Sequence, residues 1–200
     1  MPLLKKIILL VIAFLCNAMA IGLFILTGFG LDSISVFAAG LANVFRTTVG
    51  MASLGFYFAV ILAVLLIDRR YISIATLISF VIVGPSIDLF TKLFRHVVTA
   101  DSGMAVRIVF FVIAYLCVAF AIALYLSVNL GIAAPDMIPV LVSDKARLPF
   151  RWCKVVFDIT LIIVGIVLGG SFGIGTIVLG FVMGPTIQYF RRNIEKRIGK

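Results

Sequence analysis

Long apolar segments bounded by short basic stretches run through all 200 residues and limit what this chain can fold into. Hydrophobic residues make up 64% of the sequence and charged residues only 12%, whereas soluble domains carry about 25% charged residues. The mean hydropathy is +1.29. A soluble fold would have too few polar residues to cover its surface, so the sequence predicts a polytopic integral membrane protein whose main partner is the lipid bilayer.

Six apolar segments are close to the length of about 20 residues that a spanning helix needs. The predicted spans are Ile7–Thr27, Met51–Ile67, Tyr71–Phe90, Val106–Ser127, Lys154–Gly170 and Phe172–Phe190. We therefore predict an all-α fold, a membrane bundle of six transmembrane helices. The first segment begins like a secretory signal peptide, with Lys5 and Lys6 before an apolar run. That run continues to Leu26, so we interpret it as a retained helix.

An internal repeat divides this single membrane domain into residues 1–97 and residues 98–200. A shift of 101 residues aligns the stretch from Leu15 to Gly30 with the stretch from Leu116 to Gly131. A shift of 100 residues aligns Gly84-Pro85 with Gly184-Pro185. Each half has three predicted spans, an odd number, so the second half would cross the bilayer in the opposite direction. The sequence predicts two inverted three-helix repeats.

The basic residues are unequally divided between the two sides of this predicted topology. Four of the 17 lie on the side opposite the N-terminus (Arg46, Lys92, Arg95 and Arg107), which leaves 13 on the N-terminal side. The positive-inside rule then predicts a plasma-membrane protein with both termini and a basic tail in the cytoplasm. The net charge of +9 is spread over the ends of apolar runs. We attribute it to orientation and lipid headgroups, and expect no nucleic-acid partner.

Two long connections, Gly28–Gly50 and Val128–Phe150, each follow the first helix of a repeat. The first contains an apolar stretch of about a dozen residues, which is too short to span a bilayer. The second is interrupted by Pro135 and Pro139. Each connection is compatible with a helix lying in the membrane interface and with a re-entrant segment that dips into the protein.

Asp158 is an acidic residue well inside the fifth predicted span. Such residues usually face the interior of a bundle or a water-filled cavity, because a charge facing lipid is costly. We interpret it as a site for a cation, a proton or a substrate amine, or alternatively as an ion pair with Lys154 or Arg151. The 101-residue shift places Tyr57 opposite Asp158. Asp136 is either a solvated loop acid or a binding and gating residue.

The Gly84-Pro85 and Gly184-Pro185 steps are predicted to interrupt their helices, because proline removes an amide donor and clashes with the carbonyl four residues earlier. Corresponding interruptions in two inverted halves point to a transporter binding site. A kink that only improves packing is the alternative. Glycines also cluster near the end of the chain and predict a tightly packed hairpin of the last two spans, with a hinge as the alternative: Gly165, Gly169, Gly170, Gly173 and Gly175.

The second half of the chain resembles the YczE/YyaS/YitT-type family of bacterial membrane proteins. The resemblance rests on a run of glycines ending in Gly175-Thr176, on the closing Gly184-Pro185 step, and on two aspartates that correspond to Asp136 and Asp158. It implies a helical membrane architecture and suggests no substrate.

Taken together, these features predict a small-solute transporter with a midplane site between the inverted repeats. The predicted site residues are Asp158, Tyr57, Asp136, Gly84, Pro85, Gly184, Pro185 and Thr176. The alternative is a non-transporting scaffold or accessory factor for another membrane system. The sequence has one histidine and no phosphate-binding loop or metal-ligand spacing, so we expect neither an enzyme nor a cofactor. The solute is unknown, and a homo-oligomer remains open.

Overall fold

The computed structural model describes residues 1–99 and 101–198, and over these residues every regular element is helical. Each segment predicted as a span falls largely within a helix, so the all-α prediction is confirmed. The end of the predicted basic tail, residues 199–200, lies outside the described residues. The eight α-helices of the described residues are α1 (Leu3–Thr27), α2 (Ser33–Phe45), α3 (Val49–Asp68), α4 (Ile74–Phe94), α5 (Met104–Val128), α6 (Met137–Ala146), α7 (Phe150–Val167) and α8 (Ile174–Ile198).

Four stretches are long and apolar enough to cross a membrane: α1, α3 with the 3-10 turn that follows it, α4 and α5. The chain is therefore a multi-pass membrane protein. Helices α7 and α8, which match the fifth and sixth predicted spans, are not among these four. Helix α7 has only 18 residues and carries Arg151, Lys154 and Asp158.

Helices α1 and α5 form the centre of the bundle and run antiparallel. The ring of Phe14 in α1 lies 5.7 Å from that of Tyr125 near the end of α5. The ring of Phe24, further along α1, lies 5.2 Å from that of Phe111 near the start of α5. Small side chains let neighbouring helices approach closely, and both helices carry completely buried alanines: Ala13, Ala18, Ala20, Ala114, Ala119 and Ala123.

The other helices pack around this central pair, α4 against α1, α8 against α5, and α3 against α4. The contact between α3 and α4 includes a carboxylate that caps a helix start. Asp88 of α4 accepts hydrogen bonds from the Gly50 N–H at 3.0 Å and from the Thr48 hydroxyl at 2.5 Å. Amides in the first turn of a helix have no partner within the helix, so Asp88 satisfies one at the start of α3.

Helix α2 lies alongside α7 for most of its length. At its start the Ser33 hydroxyl donates to Asp158 at 2.8 Å, and near its end Asn43 donates to the Gly169 carbonyl. Between these points, a Cβ atom on Gly165 would lie 2.8 Å from the backbone of Val36. The predicted use of these glycines in an α7–α8 hairpin is therefore wrong for Gly165, whose close contact is with α2.

Helix α6 lies against α3 in a different way. Met137 and Leu141 of α6 form one buried cluster with Val60 and Val64 of α3. This contact is made by the apolar side chains of these residues, whereas the contact of α2 with α7 brings the two backbones together. Each long connection of the sequence thus contains a short helix that packs on a long helix of the opposite half of the chain.

The loop between α1 and α2 docks on the start of α8. The carbonyl of Phe29 accepts a hydrogen bond from the Gly175 N–H at 2.8 Å, and the Leu31 N–H donates to the Thr176 hydroxyl at 3.1 Å. Gly30 between them has φ of +116°. A Cβ atom there would lie 2.5 Å from the Thr176 hydroxyl oxygen, so both the backbone conformation and the space require glycine.

The loop between α5 and α6 docks on the start of α4 in the same manner. The Ile132 N–H donates to the Ser73 hydroxyl at 3.1 Å, and the Ile132 carbonyl accepts from the Thr76 hydroxyl at 2.7 Å. Gly131 has φ of +110° and packs against Ser73. Ser73 and Thr76 also form the capping box that starts α4, because each side chain bonds to the backbone N–H of the other.

The predicted helix interruptions at the two Gly-Pro steps are not seen. Helix α4 continues through Pro85 and α8 continues through Pro185. Both prolines are exposed on the outside of the bundle. A helix can continue past proline when the lost hydrogen bond is confined to one position, because the rest of its backbone bonds remain intact.

Candidate functional site

Lys154 of α7 forms two ion pairs, one of which links α7 to the start of α6. Its ammonium nitrogen lies 3.0 Å from Oδ1 of Asp136, immediately before α6, and 3.0 Å from Oδ1 of Asp158, one turn further along α7. The i to i+4 spacing places Lys154 and Asp158 on the same face of α7. The alternative interpretation of Asp158 as an ion-pair partner of Lys154 is therefore confirmed. The interpretation of Asp136 as a solvated loop acid is wrong, because it is half-buried and paired.

The face of α7 that carries these residues points into the protein. Lys154, Asp158, Leu161 and Gly165 follow one another at helical spacing, and the last two are buried. The side chains of Lys154 and Asp158 keep 26% and 29% of their surface accessible. On this face the two residues nearer the start of α7 are therefore partly accessible, and the two nearer its end are buried.

Helix α2 adds a further acid to the same place. Asp32 directly precedes α2, and the next residue, Ser33, donates its hydroxyl hydrogen bond to Asp158. The charges of Lys154 and Asp158 both act on the Asp32 carboxyl. We call Asp32, Asp136, Lys154 and Asp158 the charged cluster.

One atom of the charged cluster is unsatisfied. Oδ1 of Asp32 is buried and has no hydrogen-bond partner, and it is the only such side-chain atom in the described part of the chain. The polar neighbour of the Asp32 carboxyl is Ser35, in the first turn of α2. A buried polar atom without a partner usually costs about 1–3 kcal/mol, so this oxygen does not contribute to the stability of the fold in this arrangement.

Two tyrosines border the charged cluster. Tyr57, in the middle of α3, is only 3% exposed, and it belongs to one buried cluster with Tyr125 of α5 and with Ala134, two residues before Asp136. The structure therefore brings two of the predicted site residues, Asp136 and Asp158, onto one ammonium group, and it places Tyr57 in the neighbouring buried cluster.

The remaining predicted site residues lie elsewhere. Thr176 is buried and holds the loop before Asp32 through Leu31, so it supports the charged cluster indirectly. Gly84 packs against Gly50 and Leu54 of α3, and Pro85 beside it is exposed. Gly184 and Pro185 are both exposed on α8, and nothing lies within 4 Å of a Cβ atom placed on Gly184. Their part in binding stays a prediction.

Asp32 is the residue that sequence reasoning missed. It precedes a Ser-x-Ser sequence at the start of an apolar stretch, which is typical of a residue that caps a helix. A capping acid at the start of α2 was therefore recognisable. The position of Asp32 near Lys154 was not recognisable, because the two residues are 122 positions apart in the sequence.

The charged cluster is suited to holding a cation or a proton. Its three carboxylates are hydrogen-bond acceptors, and its single ammonium group offsets only part of their charge. In the described residues, no group of three or more His, Cys, Asp or Glu side chains is arranged to hold a metal ion.

The fold and the charged cluster define an all-helical membrane protein with an ionised site inside its bundle. A model of a family of unknown function, DUF6198, matches residues 4–192, and the chain belongs to this family. An uncharacterized protein of Haemophilus influenzae (strain ATCC 51907 / DSM 11121 / KW20 / Rd) is 25% identical over 178 residues. The match covers 88% of this chain and 78% of that protein. No solved structure matches the chain.

Proposed function

We propose that this protein is a small-solute transporter whose binding site is the charged cluster. The observation that carries the proposal is the double ion pair of Lys154 with Asp136 and Asp158 on the inward face of α7. Ionised groups within membrane helices are costly, and they commonly mark substrate or ion pathways.

Three pairs of backbone conformations support the two-repeat architecture, residues 1–97 and 98–200. Every non-glycine residue of the described chain with positive φ has a positive-φ counterpart 101 positions away. The pairs are Gly28 and Asn129, Gly30 and Gly131, and Arg46 and Arg147. Left-handed conformations are uncommon outside glycine. Three matching pairs at a single shift of 101 residues therefore favour the same backbone conformation in both halves. The two docked loops, each on the other half, add to this.

The antiparallel packing of α1 and α5 supports an inverted relation between the halves. These helices are the first of each proposed repeat, and inverted repeats require them to run in opposite directions. The proposal counts α7 and α8 as the fifth and sixth spans. Lys154 and Asp158 of α7 face other parts of the protein there, so they need not meet lipid, and the exposed Arg151 lies at the very start of the helix.

We further propose that α2 and α6 are re-entrant rather than interfacial. Helix α2 starts beside Asp158, in the middle of α7, and ends beside Gly169, beyond the end of α7. A helix parallel to the membrane surface would keep both ends at one depth. In this arrangement the starts of α2 and α6, marked by Asp32 and Asp136, converge from opposite sides on the middle of the bilayer.

The accessible side of the charged cluster supports an opening towards the cytoplasm. The basic residues assign the start of α7 to the cytoplasmic side. Lys154 lies nearer that end than the buried Leu161 and Gly165, and it keeps part of its side chain accessible. An aqueous entrance from the cytoplasmic end accounts for this gradient. The resemblance to the YczE/YyaS/YitT-type family fits such an architecture and stays a prediction.

Reconstitution tests the proposal. Purified protein is placed in liposomes of phosphatidylcholine and phosphatidylglycerol, and uptake of radiolabelled methylamine, radiolabelled alanine and protons is followed. We expect at least one probe to move faster than in protein-free liposomes. Asp158→Asn should slow that movement by roughly tenfold, the factor that corresponds to about 1.4 kcal/mol.

The matched control is Asp101→Asn, which removes the same charge from an exposed turn between α4 and α5. It should transport like the unmodified protein. If no probe moves, and Asp158→Asn restores the phenotype of cells lacking the protein as well as the unmodified gene does, the transport proposal fails. The scaffold alternative would then be pursued through proteins that co-purify with the chain.

A further inference from the structure

The charged cluster has more negative than positive groups. The carboxylates of Asp136 and Asp158 bind the single ammonium group of Lys154, and a third carboxyl, that of Asp32, adjoins Ser33, which donates to Asp158. If all four were ionised, the cluster would carry two negative charges in excess. Excess charge away from bulk water is strongly unfavourable, and a carboxyl in such surroundings reduces the cost by taking up a proton.

The hydrogen bonds single out which carboxyl takes the proton. Asp136 and Asp158 each bind the Lys154 ammonium group, and Asp158 also accepts from Ser33. These bonds stabilise the ionised form of both acids. Asp32 has only the neutral Ser35 as a hydrogen-bonding neighbour and no ion pair within the described residues, and its Oδ1 is buried without a partner. The cation that satisfies it must therefore be one that needs almost no space beside the oxygen.

A proton meets this requirement, whereas an ammonium ion or a hydrated alkali ion does not. We propose that Asp32 is a proton-binding site, and that the proton it takes up is the ion coupled to solute movement. The coupling rests on the transport function proposed above. In the binding step a proton from water attaches to the carboxylate and makes a neutral carboxylic acid. In the release step the same proton returns to water on the other side of the membrane.

The neighbours of Asp32 explain how its proton could control the cluster. Helix α7 presents Lys154 and Asp158, helix α3 presents Tyr57, and α2 itself presents Ser35. While Asp32 is neutral, Lys154 stays with Asp136 and Asp158. Once Asp32 loses its proton, its carboxylate competes with Asp136 for the Lys154 ammonium group.

This competition links the two halves of the protein. Asp32 precedes α2, and Asp136 precedes α6, so a shift of Lys154 from one carboxylate to the other changes which short helix the Lys154 ammonium group holds. Lys154 would then bind a different half of the protein in each protonation state. Transport requires such a two-state element, because a ligand can only move an equilibrium between states that it binds differently.

Infrared difference spectroscopy of the full chain in liposomes tests the proton site directly. The carbonyl stretch of a protonated carboxylic acid is separate from the bands of carboxylates and amides. We expect the unmodified protein at neutral pH to show such a band, which disappears as the pH is raised. Asp32→Asn should lose the band, and Asp101→Asn should keep it. Asp32→Glu, which restores a carboxyl group, should show it at a shifted frequency.

Absence of the band at neutral pH would overturn the proposal, as would a band that survives in Asp32→Asn. If Asp32→Asn does not fold, Asp32→Glu still provides the assignment. A shifted band in Asp32→Glu supports the proposal, and an unshifted band contradicts it. Uptake measurements in the same liposomes separate the two proposals. An Asp32 band in a protein that moves no probe leaves the proton site standing and removes transport. Transport without an Asp32 band leaves the transport proposal standing and removes the proton site.

Discussion

The two short helices pack on their partners in different ways, although each occupies the same place in its half of the chain. Helix α2 meets α7 at Gly40 and Gly165, where a Cβ atom on either residue would lie within 2.8 Å of the other helix. The residues 101 positions away from these two are Leu141 and Val64, which make the contact of α6 with α3 through full side chains. One contact is made between backbones and the other between side chains.

This difference explains where the charged cluster forms. Close approach of α2 to α7 brings the Ser33 hydroxyl within hydrogen-bond distance of Asp158. The residues 101 positions from these two are Ala134 and Tyr57, which cannot form the same bond with each other through their side chains. The polar contact of α2 with α7 therefore has no side-chain counterpart at the equivalent positions of α6 and α3.

The largest effect is expected from Gly165→Val, which places on α7 the residue that α3 has at the equivalent position. Its Cβ atom would lie 2.8 Å from the backbone of Val36 and Phe37, which cannot turn away as a side chain can. We expect the free energy of unfolding to fall by about 3 kcal/mol or more. Thermal unfolding of the purified protein in detergent measures this change.

Val64→Ala is the matched change at the looser contact. It removes two methyl groups from a buried side chain and should cost about 1–2 kcal/mol, since the neighbouring side chains can partly fill the space. Equal losses for the two variants would show that the α2–α7 contact is no closer than the α6–α3 contact.

A loss smaller than that of Gly165→Val is expected when the contact between the α1–α2 loop and the start of α8 is weakened. Thr176→Val keeps the size of the side chain but removes the acceptor for the Leu31 N–H. A buried donor left without a partner costs about 1–3 kcal/mol, so the midpoint of thermal unfolding should fall. Thr160→Val is the control, because the exposed Thr160 hydroxyl bonds only to the Val156 carbonyl of its own helix. A loss in the control as large as that in Thr176→Val would contradict a role for the dock.

The smallest effect, and one of opposite sign, is expected for Gly180→Ala. Gly180 lies inside α8, and nothing lies within 4 Å of a Cβ atom placed there. Alanine favours the helix over glycine by about 1 kcal/mol or slightly less, so the unfolding temperature should rise a little. A fall would indicate that α8 packs against another element at this position, as the predicted helix hairpin required.

The helices were predictable because their signal is local. Apolar runs of membrane-spanning length can be recognised one at a time, and each corresponds to a helix in the structure. The pairing of Lys154 with Asp158 was foreseeable for the same reason, since four residues separate them on one helix. The glycines near Gly165 were assigned to the wrong partner. Small residues at helical spacing indicate that a backbone approaches closely, but they do not say which backbone.

The sequence by itself determined that the chain lies in a membrane, that it is helical, and that an acid and a base share one face of α7. These properties follow from composition and from spacing within single segments. Only the tertiary structure decided that Asp32 and Asp136 join that face, because the loops and short helices carrying them return from distant parts of the chain. The physical reason is that the burial and the contacts of a side chain depend on which distant segments of the chain pack around it. The local sequence pattern does not specify those segments.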